Sequence, residues 1–122
     1  MNEKYEFIGR TKKLGCTVLH QIRAKKDFAN VKKGEIGGWI ERESNLSVSG
    51  NAWVSGDAQV YGDARVSGNA RVSGNAWVSG DAWVYGDAQV YDNAWVYGDA
   101  QVYGNAQVYG DARVSGNARV SG

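Results

Sequence analysis

Thirteen valines stand six residues apart, from Val48 through Val54 and Val60 to Val120. Ala52 and its equivalents as far as Ala118 keep the same interval, each four positions after a Val. A Gly lies two positions after every Val except at Asp92, and Asn or Asp follows it. The remaining variable position is Trp, Gln or Arg. Six residues of α-helix turn through ~600°, so a helix would scatter these valines around its surface. An extended segment orders them. In Ala52-Trp53-Val54-Ser55 the side chains alternate, with Ala and Val on one face and Trp and Ser on the other. Gly56-Asp57 then supplies residue types suited to a sharp bend. Each hexapeptide reads as one short strand and one corner.

A four-residue strand cannot bury a face by itself and must stack on copies of itself. Three similar corners close a triangle, so eighteen residues make one coil. On these residues the chain resembles the hexapeptide-repeat, left-handed parallel β-helix family, whose unit places a small residue four positions after an aliphatic one, as Val48 and Ala52 do. The resemblance covers roughly 75 of the 122 residues. It implies an all-β, three-sided β-solenoid with the left hand, where the general crossover rule favours the right hand. About four coils at ~4.8 Å per rung give a prism roughly 20 Å tall.

Eighteen-residue spacing sorts the outward residues into columns. One face carries Trp53, Arg71, Gln89 and Gln107 beside Ser55, Ser73, Tyr91 and Tyr109. A second carries Gln59, Trp77, Trp95 and Arg113 beside Tyr61, Ser79, Tyr97 and Ser115. The third carries Arg65, Trp83, Gln101 and Arg119 beside Ser67, Tyr85, Tyr103 and Ser121. Candidate binding residues are Trp77, Trp95, Arg113 and Tyr97 on the second face, and Trp83, Arg65, Tyr85 and Tyr103 on the third. Aromatic groups beside Arg suit protein interfaces or stack bases and sugars. The same pairs can also simply support the ladder.

Residues 1–38 read as an N-terminal β-hairpin and capping segment, and 39–122 as the β-helix. Tyr5-Glu6-Phe7-Ile8 and Cys16 to Arg23 are strand candidates, joined by a turn over 10–15. Val18, His20 and Ile22 share one face of the second strand. Residues 24–33 read as a loop. Ile40 and Leu46 fall on the Ala register, so the solenoid is expected to begin near them, with Phe28, Trp39 and Ile40 plugging its end. The stretches Leu19-His20-Gln21-Ile22-Arg23-Ala24 and Lys33-Gly34-Glu35-Ile36-Gly37-Gly38-Trp39-Ile40-Glu41 resemble a group of bacterial and prophage-encoded hexapeptide-repeat proteins. The final repeat is as regular as the others, so an end-to-end contact, a covering partner or further chain beyond it is expected there.

Charge excludes little and supports little. Residues 1–49 carry ten Lys/Arg and six Asp/Glu, and residues 50–122 carry four Arg and seven Asp. Neither part is basic enough to argue for nucleic acid. The single Cys16 permits no internal disulfide. No secretory signal or membrane span is evident, so the expected location is the cytoplasm.

Relatives of this fold include acyltransferases with a His base and carbonic anhydrases with three His on a metal. Here His20 is the only histidine and lies outside the repeats. The Asp63–Asp81–Asp99 column could attract a cation, but Asn and Asp alternate at this position and both serve the bend. No catalytic residue, metal site or cofactor is expected. The sequence reading is a non-enzymatic interaction protein of phage or prophage origin. It would self-associate and engage a host factor through its Trp/Tyr/Arg columns. The alternatives are sequestration of a small anionic, nucleotide-like ligand between subunits, hexapeptide-type acyl transfer, and an architectural filament.

Overall fold

The structure, a computed structural model, describes residues 3–29, 31–48 and 50–121. The chain opens with strands β1 (Tyr5–Leu14) and β2 (Thr17–Ala24), which pair antiparallel. Strand β2 also pairs antiparallel with β3 (Ile36–Ile40). Twelve short strands follow among the described residues, from β4 (Trp53–Val54) to β15 (Arg119–Ser121).

Each repeat strand pairs in parallel with the one eighteen residues on. Trp53 aligns with Arg71, Gln59 with Trp77 and Arg65 with Trp83. Three sheets result, and the polypeptide visits them in rotation. Backbone bonds run along the stack, as in Tyr61 N–H to the Val78 carbonyl at 3.0 Å and Ser79 N–H to Val96 at 2.9 Å. The predicted three-sided parallel β-solenoid is therefore the fold.

Its interior holds the two constant residue types. Every Ala and Val of the repeat from Ala52 to Val102 is fully buried. Each Val contributes about 1.5–3 kcal/mol by leaving water. The corners need backbone that only Gly adopts freely. Gly80 has φ +67°, and a Cβ there would lie 3.0 Å from the Gly98 nitrogen. Asp92 takes the same conformation, with φ 62°, and its carboxylate Oδ2 accepts a bond from Gly110 N–H at 3.2 Å.

The first coil departs from the sequence reading. Trp39 aligns with Gln59 and Ile40 with Val60, while Leu46 bridges Val66. The offset here is twenty residues, so Ile40 and Leu46 fill Val positions rather than Ala positions. The regular offset is restored at Gly50, whose added Cβ would meet the Gly68 carbonyl. Two extra residues are thus accommodated between Ser47 and Gly50. Val48, in register by sequence, is 44% exposed. The column Trp39–Gln59–Trp77–Trp95–Arg113 has five rungs, one more than the expected four.

The cap also differs in detail. Strand β1 runs through the expected turn to Leu14, and Gly15-Cys16 alone makes the bend. Pairing irregularities between Phe7 and Thr11, and between Gln21 and Arg23, shift the alternation. Leu19 and Ile22 are buried, whereas Val18 is exposed. Trp39 is not a plug. It sits outside, with Lys12 Nζ 4.6 Å above its ring. The plug is Tyr5, Ile22, Val31, Ile40 and Leu46, with Phe28 packed on them. Phe28 meets Trp53 edge to face at 5.4 Å.

Candidate aromatic binding face

The face that carries Trp77 is the most chemically distinctive surface. Parallel pairing puts Trp95 directly over Trp77. Their rings stack with centroids 5.0 Å apart and planes 1° from parallel. Tyr61 meets Trp77 edge to face at 6.4 Å, and Tyr97 meets Trp95 in the same way at 6.4 Å. Arg113, one rung further, holds its guanidinium carbon 4.9 Å from the Trp95 ring centre. Edge-to-face and stacked pairs of this kind contribute about 0.5–1.5 kcal/mol each beyond burial.

These rings enclose a groove of about 290 Å³, lined by Tyr61, Trp77, Ser79, Trp95 and Tyr97. A larger hollow of about 620 Å³ lies on the next face beside Arg71, Gln89, Tyr91 and Asp92. Its lining is mainly polar and offers one Tyr for stacking, so volume is a poor guide here. Recognition of a flat or apolar group needs the smaller, aromatic groove.

The eight sequence-predicted residues do not converge on one place. Trp77, Trp95, Tyr97 and Arg113 come together as described. Trp83, Arg65, Tyr85 and Tyr103 lie on the neighbouring face. There Arg65 lies 5.8 Å from the Trp83 ring, and Tyr85 stacks on Tyr103 at 5.2 Å. Tyr85 also donates to Gln101 Oε1 at 3.3 Å. Trp83 remains 45% exposed. Tyr61 and Ser79 were not among the predicted site residues, although the eighteen-residue columns already placed them beside Trp77.

The corner beside this groove carries Asp63, Asp81 and Asp99 in successive rungs. Loss of hydration, then the neighbouring charges of Asp63 and Asp99, raise the Asp81 carboxyl above its ordinary value. Arg42 reaches Asp63 at 3.4 Å. No group of three or more His, Cys, Asp or Glu among the described residues is placed to hold a metal ion.

His20 stacks face to face on Phe7 at 4.5 Å in the hairpin. In the loop after β2, Lys25 and Lys33 border a hollow with Glu6 and Arg23, well separated in sequence from the aromatic groove. Lys4 is fully buried and donates to the Ser47 carbonyl at 2.9 Å. Burial, reinforced by the charge of Lys26, lowers its ammonium to about 8. No helix of the described residues is long and apolar enough to cross a membrane.

Fold and surface together define a three-sided hexapeptide β-solenoid with an aromatic face. A model of the YdcK β-solenoid repeat matches residues 58–71, 70–86, 88–104, 100–113 and 106–122, just over half of the chain. The chain belongs to that YdcK β-solenoid repeat family. Over 36 residues it is 50% identical to the uncharacterized acetyltransferase YdcK of Escherichia coli (strain K12). That stretch is 30% of this chain and 11% of the relative, so the match spans about a ninth of the relative's length.

Proposed function

We propose that this chain is a rigid interaction module whose contact surface is the Tyr61–Trp77–Trp95–Tyr97 face. The supporting observation is the stacked Trp pair at 5.0 Å, flanked by two Tyr rings and held on a backbone ladder. Large rigid aromatics lose little entropy on binding and dominate the centres of interfaces. A solenoid adds stiffness, because each outward residue is fixed from the rungs above and below. Self-association and a host-protein partner both use such a surface. A prophage setting rests on the N-terminal resemblance.

The test compares the native chain with a Trp77→Ala/Trp95→Ala variant. Sedimentation and pulldown should show that the variant loses its self-association or partner complex by at least ~10-fold, about 1.4 kcal/mol. Its β-sheet circular dichroism should be unchanged. Full retention of every complex would overturn the proposal.

The YdcK relative's name as an acetyltransferase favours a second reading, acetyl transfer. In that reading His20 would serve as the base, and its face-on stacking against Phe7 would have to open. Acetyl-CoA turnover that disappears in a His20→Ala variant would establish it.

A further inference from the structure

The outward columns contain one informative gap. Six tyrosines follow the hairpin's Tyr5, and four of them form two Tyr-on-Tyr stacks along the ladder. Tyr85–Tyr103 and Tyr91–Tyr109 each have centroids 5.2 Å apart and planes within 8° of parallel. In the aromatic face the corresponding column reads Tyr61, Ser79, Tyr97. A Tyr ring is present below and above, and the middle ring is replaced by a hydroxymethyl group. Tyr61 and Tyr97 are two rungs apart, roughly 10 Å at the strand spacing. A flat guest halfway between them would sit about as far from each ring as this molecule's own stacked tyrosines sit from each other. Trp77 and Trp95 close the side of this notch, and all five residues line the same 290 Å³ groove.

Charge at the rim selects among flat guests. Asp81 follows Ser79 by two residues across the Gly80 corner, so their Cα atoms lie no more than ~7 Å apart. Asp63 and Asp99 stand one rung below and above it. Arg42 pairs with Asp63, whereas the ion pairs of the described residues do not include Asp81 or Asp99. On the other side Arg113 is engaged with the face of Trp95. The aromatic faces and the carboxylates both favour positive charge.

We propose that the notch over Ser79 is a binding slot for one flat aromatic cation, stacked between Tyr61 and Tyr97, edge against Trp77–Trp95, with its charge toward Asp81. The proposal deepens the reading of this face as a contact surface and rests on it. Three probes share a flat bicyclic ring and differ in charge: 1-methylquinolinium as the cation, quinoline as the neutral ring and naphthalene-2-carboxylate as the anion.

Isothermal titration of the full chain should show 1-methylquinolinium binding at least ~10-fold tighter than either other probe, with an advantage that falls as salt screens the carboxylates. Ser79→Tyr completes the tyrosine stack with a residue this repeat already uses. It should raise the melting temperature and weaken 1-methylquinolinium by at least ~10-fold. Asp81→Asn should weaken the cation several-fold and leave quinoline unchanged.

Absence of cation binding by the native chain, or undiminished binding by Ser79→Tyr, would overturn the slot. Equal affinity for all three probes would overturn its charge selectivity. Tyr97→Ser, which removes the upper wall, gives the same readout should Ser79→Tyr fold poorly. If the slot fails while Trp77→Ala/Trp95→Ala still abolishes the protein complexes, the contact-surface reading survives alone. If that double variant keeps its complexes, the broader reading fails, whatever the probes do.

Discussion

The first coil and the regular coils solve the same packing problem by different means. From Ala52 onward the interior is Val over Val and Ala over Ala, and each corner but the one at Asp92 is a Gly followed by Asn or Asp. The first coil instead uses Ile40 and Leu46 in Val positions and builds a corner from side chains. Asn45 is fully buried there. Its Oδ1 accepts from Glu41 N–H at 3.0 Å and Arg42 N–H at 2.8 Å. Its Nδ2 donates to the Gly62 and Ala64 carbonyls at 3.2 and 2.8 Å. Glu41 Oε1 accepts from Gly62 N–H at 2.8 Å. In the regular coils stability is spread over many equivalent rungs, whereas in the first coil it is concentrated in individual residues that have no duplicate.

The sharpest break of this comparison is at Gly38. A Cβ there would lie 2.8 Å from both the Ala58 carbonyl oxygen and Val54 Cγ1. Gly38→Ala should cost about 3 kcal/mol or more, at the upper end for overpacking, because one of the obstacles is backbone. Denaturant unfolding would measure it. The same change at Gly110 meets no atom within 4 Å, and only its φ of +64° opposes it. It should cost roughly 1–2 kcal/mol.

Leu46 and Val48 give the next contrast. Leu46→Ala should lose about 2–5 kcal/mol, as expected for emptying a packed site. Val48→Ala should stay within about 0.5 kcal/mol, as expected at an exposed position. A large loss at Val48 would restore the uninterrupted six-residue register.

Lys4 sharpens the comparison through pH. Its folded-state value of about 8 lies below the unfolded 10.5. Between those values the unfolded chain retains a proton that the folded chain has shed, so stability rises with pH across the window. The gain is on the order of 1.4 kcal/mol per pH unit. Lys4→Met should abolish this rise in melts between pH 8 and 10. The smallest effect belongs to the regular coils. Asp81 has its carboxyl raised, so its ionised form is disfavoured in the folded chain, and stability increases as pH falls through the carboxylate range. Asp81→Asn should give a slight increase in melting temperature at neutral pH and remove that dependence.

The same contrast decides what could be read from the amino acids. Val78 and Ala76 announce their burial, because a local period of two within a period of six determines where they point. Trp77 and Trp95 announce their stacking by the interval of eighteen. Leu46 and Ile40 mislead, because the two residues added between Ser47 and Gly50 change the offset without disturbing the spelling of the repeat. Lys4 and Asn45 are invisible as core residues. Their burial depends on partners 43 and 19 residues away, Ser47 and Ala64, that no local pattern links to them. The notch at Ser79 is hard to notice for a different reason. It is a missing side chain between two present ones, and Ser is an ordinary outward residue until its neighbours along the column are known.

The interval of eighteen also governs how such a chain can change length. Gaining or losing one whole circuit moves everything beyond it up or down a step and keeps Trp77 and Trp95 on a common side. Gaining or losing a single hexapeptide swings every later residue by a third of a revolution, carrying one side's chemistry onto the next while the valine interior stays filled. Replication slippage in this gene would therefore be silent for folding in both cases and would rewire recognition only in the second.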